Sequence, residues 1–223
     1  MTCDLVLPCR DEAAALVDLL PRVPGEFSVI VVDNGSSDGT AEVARSLGAR
    51  VVVEPAPGYG AAVHAGVNAA QGEFVAVMDG DGSMDPDDLV PMLEEVASGR
   101  ATMAVGRRRP VRRGVWPWHA RLGNRLVLAW LRRRLAQDSP TGLAVRDIAP
   151  MRVCRRDDLI RLGVQDRRFG YPVELLQKAI RAQWLITEHD VAYHPRAAGT
   201  RSKVSGSVVG TARTALDFWR VLA

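Results

Sequence analysis

Four brief apolar runs, separated by helical stretches, fill the first eighty residues and leave few architectures open. Residues 4–7, 28–32, 50–53 and 73–78 are short and mostly β-branched, the composition of strands covered on both faces. Between them, residues 12–20, 40–47 and 61–70 carry apolar side chains at helical spacing. Turn-rich Asn34-Gly35-Ser36-Ser37-Asp38-Gly39 leads into the second helix, PAPGYG opens the third, and Gly72 closes it. Strands alternating with helices are joined by crossovers, so the expected fold is an α/β domain with a mostly parallel, twisted sheet flanked by helices. With 223 residues and 47% hydrophobic content, one domain has enough material for a core and two would be cramped.

The alternation stops after residue 105. A helix is expected from Asp85-Pro86 to about Val96 and a short strand over 102–105. Residues 107–114 read as a basic loop, 116–135 as mostly helical and 137–146 as another loop. Residues 174–182 read as helical and 186–193 as extended. The tail, 207–222, has amphipathic spacing, with Val208, Ala212, Ala215, Leu216 and Trp219 on one side.

No apolar stretch approaches the roughly 18 uncharged residues of a membrane span. The opening MTCDLVLPCRDE is acidic where a signal peptide is basic and then apolar, so the expected location is cytoplasmic. Cys3, Cys9 and Cys154 are too few and too irregularly spaced for a disulfide framework or a zinc site and read as buried or incidental thiols. The net charge of +3 is modest, but ten arginines fall between Arg107 and Arg134 with no acidic residue among them. Such a field favours a phosphate, a diphosphate or an anionic membrane surface.

The segment FVAVMDGDGSMDP places Asp79 and Asp81 two residues apart, just beyond an apolar strand, with Gly80 and Gly82 freeing the backbone. Extended spacing of two puts both carboxylates on one side. One or two carboxylates completed by substrate phosphates suit a hard divalent cation that keeps several waters. Ligands in open α/β sheets also bind beyond the carboxyl ends of strands. A plain hydrophilic turn is the competing reading, since Asp-Gly pairs are common in turns.

Taken together, LPCRDE, VVDNGSSDGT, GYGAAVHAG, MDGDGSMDP, FGYPVELLQKA and RAAGTRSKVSG resemble family 2 glycosyltransferases, specifically the dolichyl-phosphate-mannose-synthase-like branch. The resemblance runs over nearly the whole chain and implies a single GT-A domain, Rossmann-like. Its nucleotide-sugar-binding half would span 1–106, its acceptor-binding half 107–206, with a C-terminal helix over 207–223. It implies that Pro8, Asp11, Glu12, Asp33, Gly60, Asp79, Gly80 and Asp81 line the donor site. Asp79 and Asp81 would hold Mg2+ or Mn2+. The family's usual Asn is replaced by Asp11, and Tyr59 stands where a basic residue is common.

The resemblance also places Arg107, from the Gly-x-Arg-like GRR, near the reacting phosphates. It assigns Arg121, Arg152, Arg201 and Lys203 to phosphate or acceptor binding, with Arg196 and Ser202 in the same closing segment. Asp147 is the candidate base, with Asp81 and Arg107 as its catalytic companions and Glu174 as an alternative base or a structural ion pair. A phosphate acceptor would need no base, because it already arrives as an anion.

The implied reaction is inverting transfer of a hexose from a nucleoside diphosphate sugar, UDP-glucose or GDP-mannose. The acceptor would be a polyprenyl phosphate or a small soluble molecule, with peripheral contact at the inner membrane surface open. A sugar-nucleotide nucleotidyltransferase is the alternative enzyme, but LPCRDE lacks the Gly-rich basic loop expected after its first strand. A basic nucleic-acid-binding protein would explain the arginines and tryptophans; the resemblance implies no nucleic-acid partner.

Overall fold

The computed structural model describes residues 2–136 and 145–197. Seven strands form one sheet in the order β3-β2-β1-β4-β6-β5-β7. The first four, β1 (Cys3–Cys9), β2 (Phe27–Asp33), β3 (Arg50–Val53) and β4 (Phe74–Val77), are mutually parallel. Helices α1 (Ala13–Leu19), α2 (Thr40–Ser46) and α3 (Tyr59–Ala69) make the crossovers. There follow α4 (Leu89–Ala97), β5 (Met103–Pro110), α5 (Trp118–Arg134), β6 (Arg152–Arg155), α6 (Arg156–Leu162), α7 (Tyr171–Arg181) and β7 (Ile186–Tyr193). β6 runs antiparallel to both β4 and β5, while β5 and β7 are parallel. The expected α/β architecture is therefore present, with one reversed strand inserted beside β4.

Both sheet faces are covered, which is why the central strands β1, β2 and β4 are mostly apolar. Leu5, Leu7, Ala76, Ala104 and Val153 pack toward Leu16 and Leu19 of α1 and Met92 and Val96 of α4. Val6, Ile30, Val77, Val105 and Cys154 pack on the other face with α3, α5 and α7. Each fully buried aliphatic side chain contributes about 1.5–3 kcal/mol of transfer free energy. At Gly66 a Cβ would lie 2.3 Å from Val6 Cγ1, so glycine lets α3 lie close on the sheet. All three cysteines are buried and free.

Pro8 sits in a central strand, yet its missing N–H costs no ladder bond. Asn34 N donates to Cys9 O and Met78 N to Val6 O, so odd residues of β1 face β2 and even ones face β4. The pairing with β4 ends at Val6, before Pro8 would need to donate.

Several elements differ from expectation. Residues 107–110 continue β5 instead of forming a loop, because Arg107 and Arg109 pair across to acidic Asp190 of β7. β6 and α6 have no signal in the sequence: RVCR is too short to mark a strand, and an arginine opens the helix where a capping residue would mark it. α7 begins at Tyr171, with Pro172 in its first turn. The segment after Asp85 starts as a 3-10 turn over Pro86–Asp88, where the Asp85 side chain accepts from Asp87 N, before α4 proper. The expected helix over 207–222 and most of the 137–146 loop lie outside the described residues.

Candidate functional site

The acidic residues singled out in the sequence converge at the carboxyl edge of β1, β2 and β4. Cys9 marks the centre. Burial first, and then the charges of Glu12, Asp81, Asp79 and Asp33, push its thiol pKa well above the ordinary value. That thiol is no nucleophile at neutral pH. Carboxylates from three separate loops therefore act electrostatically on one buried position.

The loops carrying them are tied together. Asp11 adopts a left-handed backbone, φ 53°, which Asp tolerates better than most residues. Its Oδ1 accepts from Ser37 N at 2.8 Å and Ser37 Oγ at 3.1 Å, and its own N–H donates to Ser36 Oγ. Glu12 is buried, its N–H donating to Thr40 Oγ1 at 3.0 Å. Asp33 Oδ1 accepts from Ser36 N, closing the turn after β2. Asn34, read from sequence only as a turn residue, anchors the next loop. Its Nδ2 donates to Glu54 O and Ala56 O, and its Oδ1 accepts from Gly58 N. Asp11 and Asp33 thus spend at least one oxygen each on loop structure.

Asp81 is 2% exposed. Its Oδ1 accepts from Ser83 N at 2.9 Å. Its Oδ2 lies 2.9 Å from Arg196 Nη1, close enough for an ion pair but off the hydrogen-bond direction. Burial, and then the charge on Asp81, raises the Asp79 carboxyl pKa; Arg196, Arg108 and Arg152 pull the other way. Gly80 is required for this crowding, since a Cβ there would meet Cys9 Sγ at 2.3 Å. Gly82 takes φ +73°, the left-handed region that favours glycine.

Two desolvated carboxylates that repel each other form an environment a divalent cation relieves. Among the described residues no three His, Cys, Asp or Glu side chains gather into a metal cage. A cation here would complete its shell with substrate oxygens and water, which suits Mg2+ or Mn2+ rather than structural zinc.

Among the described residues, three arginines face the acids. Arg152 opens β6, opposite Val77 of β4 and Val105 of β5, and so enters the carboxyl edge between them. It is 2% exposed and donates to Tyr59 Oη at 3.1 Å and Ala149 O at 2.9 Å, while its buried Nε has no hydrogen-bond partner. Arg196 follows β7 in a segment laid along the acidic turn, where His194 N donates to Ser83 O and Ala197 N to Asp81 O.

Arg108 is the third, and it corrects the expectation for Arg107. Strand alternation turns Arg107 toward Asp190, with Nε 2.6 Å from Oδ1, and toward Glu188. Arg108 is among the charges that lower the Asp79 carboxyl pKa. Counting Gly-x-Arg from Gly106 lands on Arg108, so the spacing itself carried the signal.

Asp147, expected as a base, is 1% exposed and fully engaged. Arg108 donates from Nε to Oδ2 at 2.8 Å, from Nη2 to Oδ1 at 2.7 Å and from its backbone N to Oδ2 at 3.0 Å. The Arg108 guanidinium also lies 4.1 Å from the Trp116 ring centroid. Asp147 is itself positioned, its N–H and that of Arg146 donating to Glu188 Oε1. Oδ2 accepts twice and Oδ1 once, and at 1% exposure the remaining lone pair is shut off from an incoming hydroxyl, so the geometry makes Asp147 a clamp on Arg108.

Other expected positions fall elsewhere. Gly60 serves packing: its N–H donates to Arg168 O, and a Cβ would meet Asp166 O at 2.5 Å. Gly58 likewise abuts the Arg167 carbonyl. Glu174 accepts from Gln165 N and Asp166 N and pairs with Lys178 at 3.1 Å, the structural alternative. Arg121 is exposed on the first turn of α5. Arg201, Ser202 and Lys203 lie outside the described residues.

A mostly parallel α/β sheet with paired aspartates at the end of its fourth strand, faced by arginines, defines the GT-A class of glycosyltransferase. Comparison with known proteins agrees and is more specific. The chain belongs to Glycosyl transferase family 2, whose profile matches residues 4–163. It is 51% identical to an uncharacterized glycosyltransferase of Mycobacterium tuberculosis over 98% of this chain and 97% of the relative. It is 29% identical to the polyprenol monophosphomannose synthase of Mycolicibacterium smegmatis over 97% and 86%. Among solved structures, glucosyl-3-phosphoglycerate synthase from M. tuberculosis, in complex with Mn2+, UDP and glucosyl-3-phosphoglycerate, superposes with a TM-score of 0.74. That alignment has 22% identity and covers 99% of this chain and 78% of the other.

Proposed function

We propose that this glycosyltransferase moves a hexose from a nucleoside diphosphate sugar onto a phosphate-bearing acceptor, with inversion at the anomeric carbon. The observation that carries the reading is the buried Asp79–Asp81 pair faced by Arg108, Arg152 and Arg196. Asp79 and Asp81 would hold Mg2+ or Mn2+, which supplies charge neutralisation for the departing diphosphate. Arg152 and Arg196 bring further positive charge to that oxygen-rich group, and burial strengthens each contact. Glu12 and Asp33, beside Cys9, line the donor pocket and accept hydrogen bonds from nucleoside donors.

The clamped Asp147 favours an acceptor that needs no base. A phosphate oxygen, already anionic near neutral pH, attacks the anomeric carbon as the carbon–oxygen bond to the diphosphate breaks. Arg108, held in a fixed fork by Asp147, orients that phosphate, and Arg121 stands outside it on α5. Relatives offer two acceptor types: the mycolicibacterial one is named for polyprenol monophosphate, and the solved structure holds a phosphoglycerate product. UDP-glucose and GDP-mannose remain the two donors to test.

The test is a matrix of transfer assays, crossing UDP-glucose and GDP-mannose with polyprenyl phosphate, 3-phosphoglycerate and a hydroxyl-only sugar. Manganese-dependent transfer is expected, with the new bond to the sugar at a phosphate oxygen of the acceptor, read by phosphorus NMR of the product. Transfer confined to the hydroxyl-only sugar would contradict the reading.

A further inference from the structure

Helix α5 carries an apolar stripe that nothing in the active site uses. Trp118, Leu122 and Leu126 recur every four residues and are 75%, 46% and 61% exposed. That spacing aligns them along one side, and exposed Ala129 continues the row. The helix buries a different side, Asn124, Leu128 and Leu131, against the protein. Asn124 fixes that docking through bonds to Arg146 O and Ile148 N. The stripe is thus a second apolar face on a helix already anchored by its first. Exposed Arg121, Arg125 and Arg133 flank it, and exposed Arg112 and Arg113 precede the helix.

We infer that this face of α5 docks the enzyme on an anionic lipid bilayer. Tryptophan and leucine enter the headgroup boundary while arginines reach lipid phosphates, the amphipathic pattern of an interfacial helix. Charge selects the occupant. From 107 to 134 there is no acidic residue, so a partner must bring negative charge as well as apolar surface. A second copy of this chain brings a net charge of +3. The chain's own residues 198–223 bring Arg201, Lys203, Arg213 and Arg220 against the single acid Asp217. Nucleic acid supplies phosphates but leaves Leu122 and Leu126 in water. An anionic bilayer satisfies both requirements at one plane.

The inference holds for either donor, and it deepens the acceptor reading: docked through α5, the enzyme would present Arg121 to a lipid-borne phosphate. The test is co-sedimentation of the full chain with vesicles of phosphatidylcholine alone and of equal parts phosphatidylcholine and phosphatidylglycerol. Salt-sensitive binding to the mixed vesicles is expected, with Leu122→Glu/Leu126→Glu weakening it about tenfold or more. Arg125→Ser/Arg133→Ser should weaken it by a smaller factor, in low salt most of all. Thermal midpoint, elution volume and stabilisation by UDP or GDP with Mn2+ are measured on the same samples and should not change in either variant.

Undiminished vesicle binding by Leu122→Glu/Leu126→Glu would reduce the effect to charge adsorption and overturn the inference. A midpoint lowered by several degrees would mean that this chain covers the stripe, and loss of a concentration-dependent dimer would mean that a second copy does. Either result overturns it too. Loss of nucleotide stabilisation in the unmodified protein would count against the donor reading alone.

Discussion

The two halves of the carboxyl edge treat charge in opposite ways. Around β1, β2 and β4, carboxylates are buried near one another, and burial first and then their mutual repulsion push Asp79 toward its neutral form and hold Cys9 neutral. Around β5, β6 and β7, acids are spent on holding arginines: Asp147 grips Arg108, Glu188 and Asp190 take Arg107, and Asp190 reaches Arg109. One side is strained by design of its charges and the other is satisfied internally. They meet where reversed β6 lies between β4 and β5, and there the arginines of the second half neutralise the acids of the first. Acids on one side and held arginines on the other are the charge arrangement on which the proposed transfer from a metal-bound diphosphate to a phosphate rests.

Substitutions on the satisfied side should cost stability first. Asp147→Ala leaves half-buried Arg108 without its partner and should lose about 3 kcal/mol, read as a lower midpoint in urea. If Asp147 were instead a base, Asp147→Asn would keep the midpoint and lose activity together with the acidic limb of the pH–rate profile. On the strained side the pattern inverts. Asp81→Asn should lower transfer roughly 100- to 1000-fold while the thermal midpoint stays level or rises, because removing one of two crowded charges relieves repulsion. A falling midpoint would show that the Asp81 ion pair with Arg196 is mainly structural.

Gly60→Ala tests whether the α3 entry belongs to the cleft or to the scaffold. The added methyl meets the 166–168 backbone, so a loss of about 1–3 kcal/mol is expected with UDP affinity unchanged among folded molecules. Glu174→Gln should have the smallest effect, about 1 kcal/mol. Burial raises the Glu174 carboxyl, but the Gln165 and Asp166 N–H groups and Lys178 outweigh it and leave its pKa below the ordinary 4.5. A lowered folded pKa means that its contribution is complete above about pH 4.5 and is lost as pH falls below it. The variant and the parent should therefore converge in stability under acid, with activity at neutral pH unaltered.

The legible part of this sequence was the part built by local rules. The four parallel strands and their helices follow from apolar periodicity, and residues 50–53 and 186–193 match observed strands at both ends. The acidic turn was legible because strand-end aspartates with glycines are a local pattern. The second half resisted for two reasons. β6 is four residues long and paired with strands far away in sequence, so its existence depends on partners rather than on its own pattern. Whether Arg107 or Arg108 faces the acids depends on strand phase, and a basic run such as 107–114 carries no apolar alternation from which that phase can be read. Asp147 was legible as a special acid but not as a clamp, since its partner is 39 residues away. Asn34 carried no signal beyond turn propensity, although it holds the loop from Glu54 to Gly58.

Calorimetric titration of UDP and GDP into the protein, with and without Mn2+, bears most directly on the claim that Asp79 and Asp81 grip a diphosphate through a cation. One of the two nucleotides should bind at least tenfold more tightly with metal, and Asp81→Asn should erase that difference while leaving the weak metal-free binding in place. Equal affinity with and without metal, or a metal effect that survives in Asp81→Asn, would contradict it.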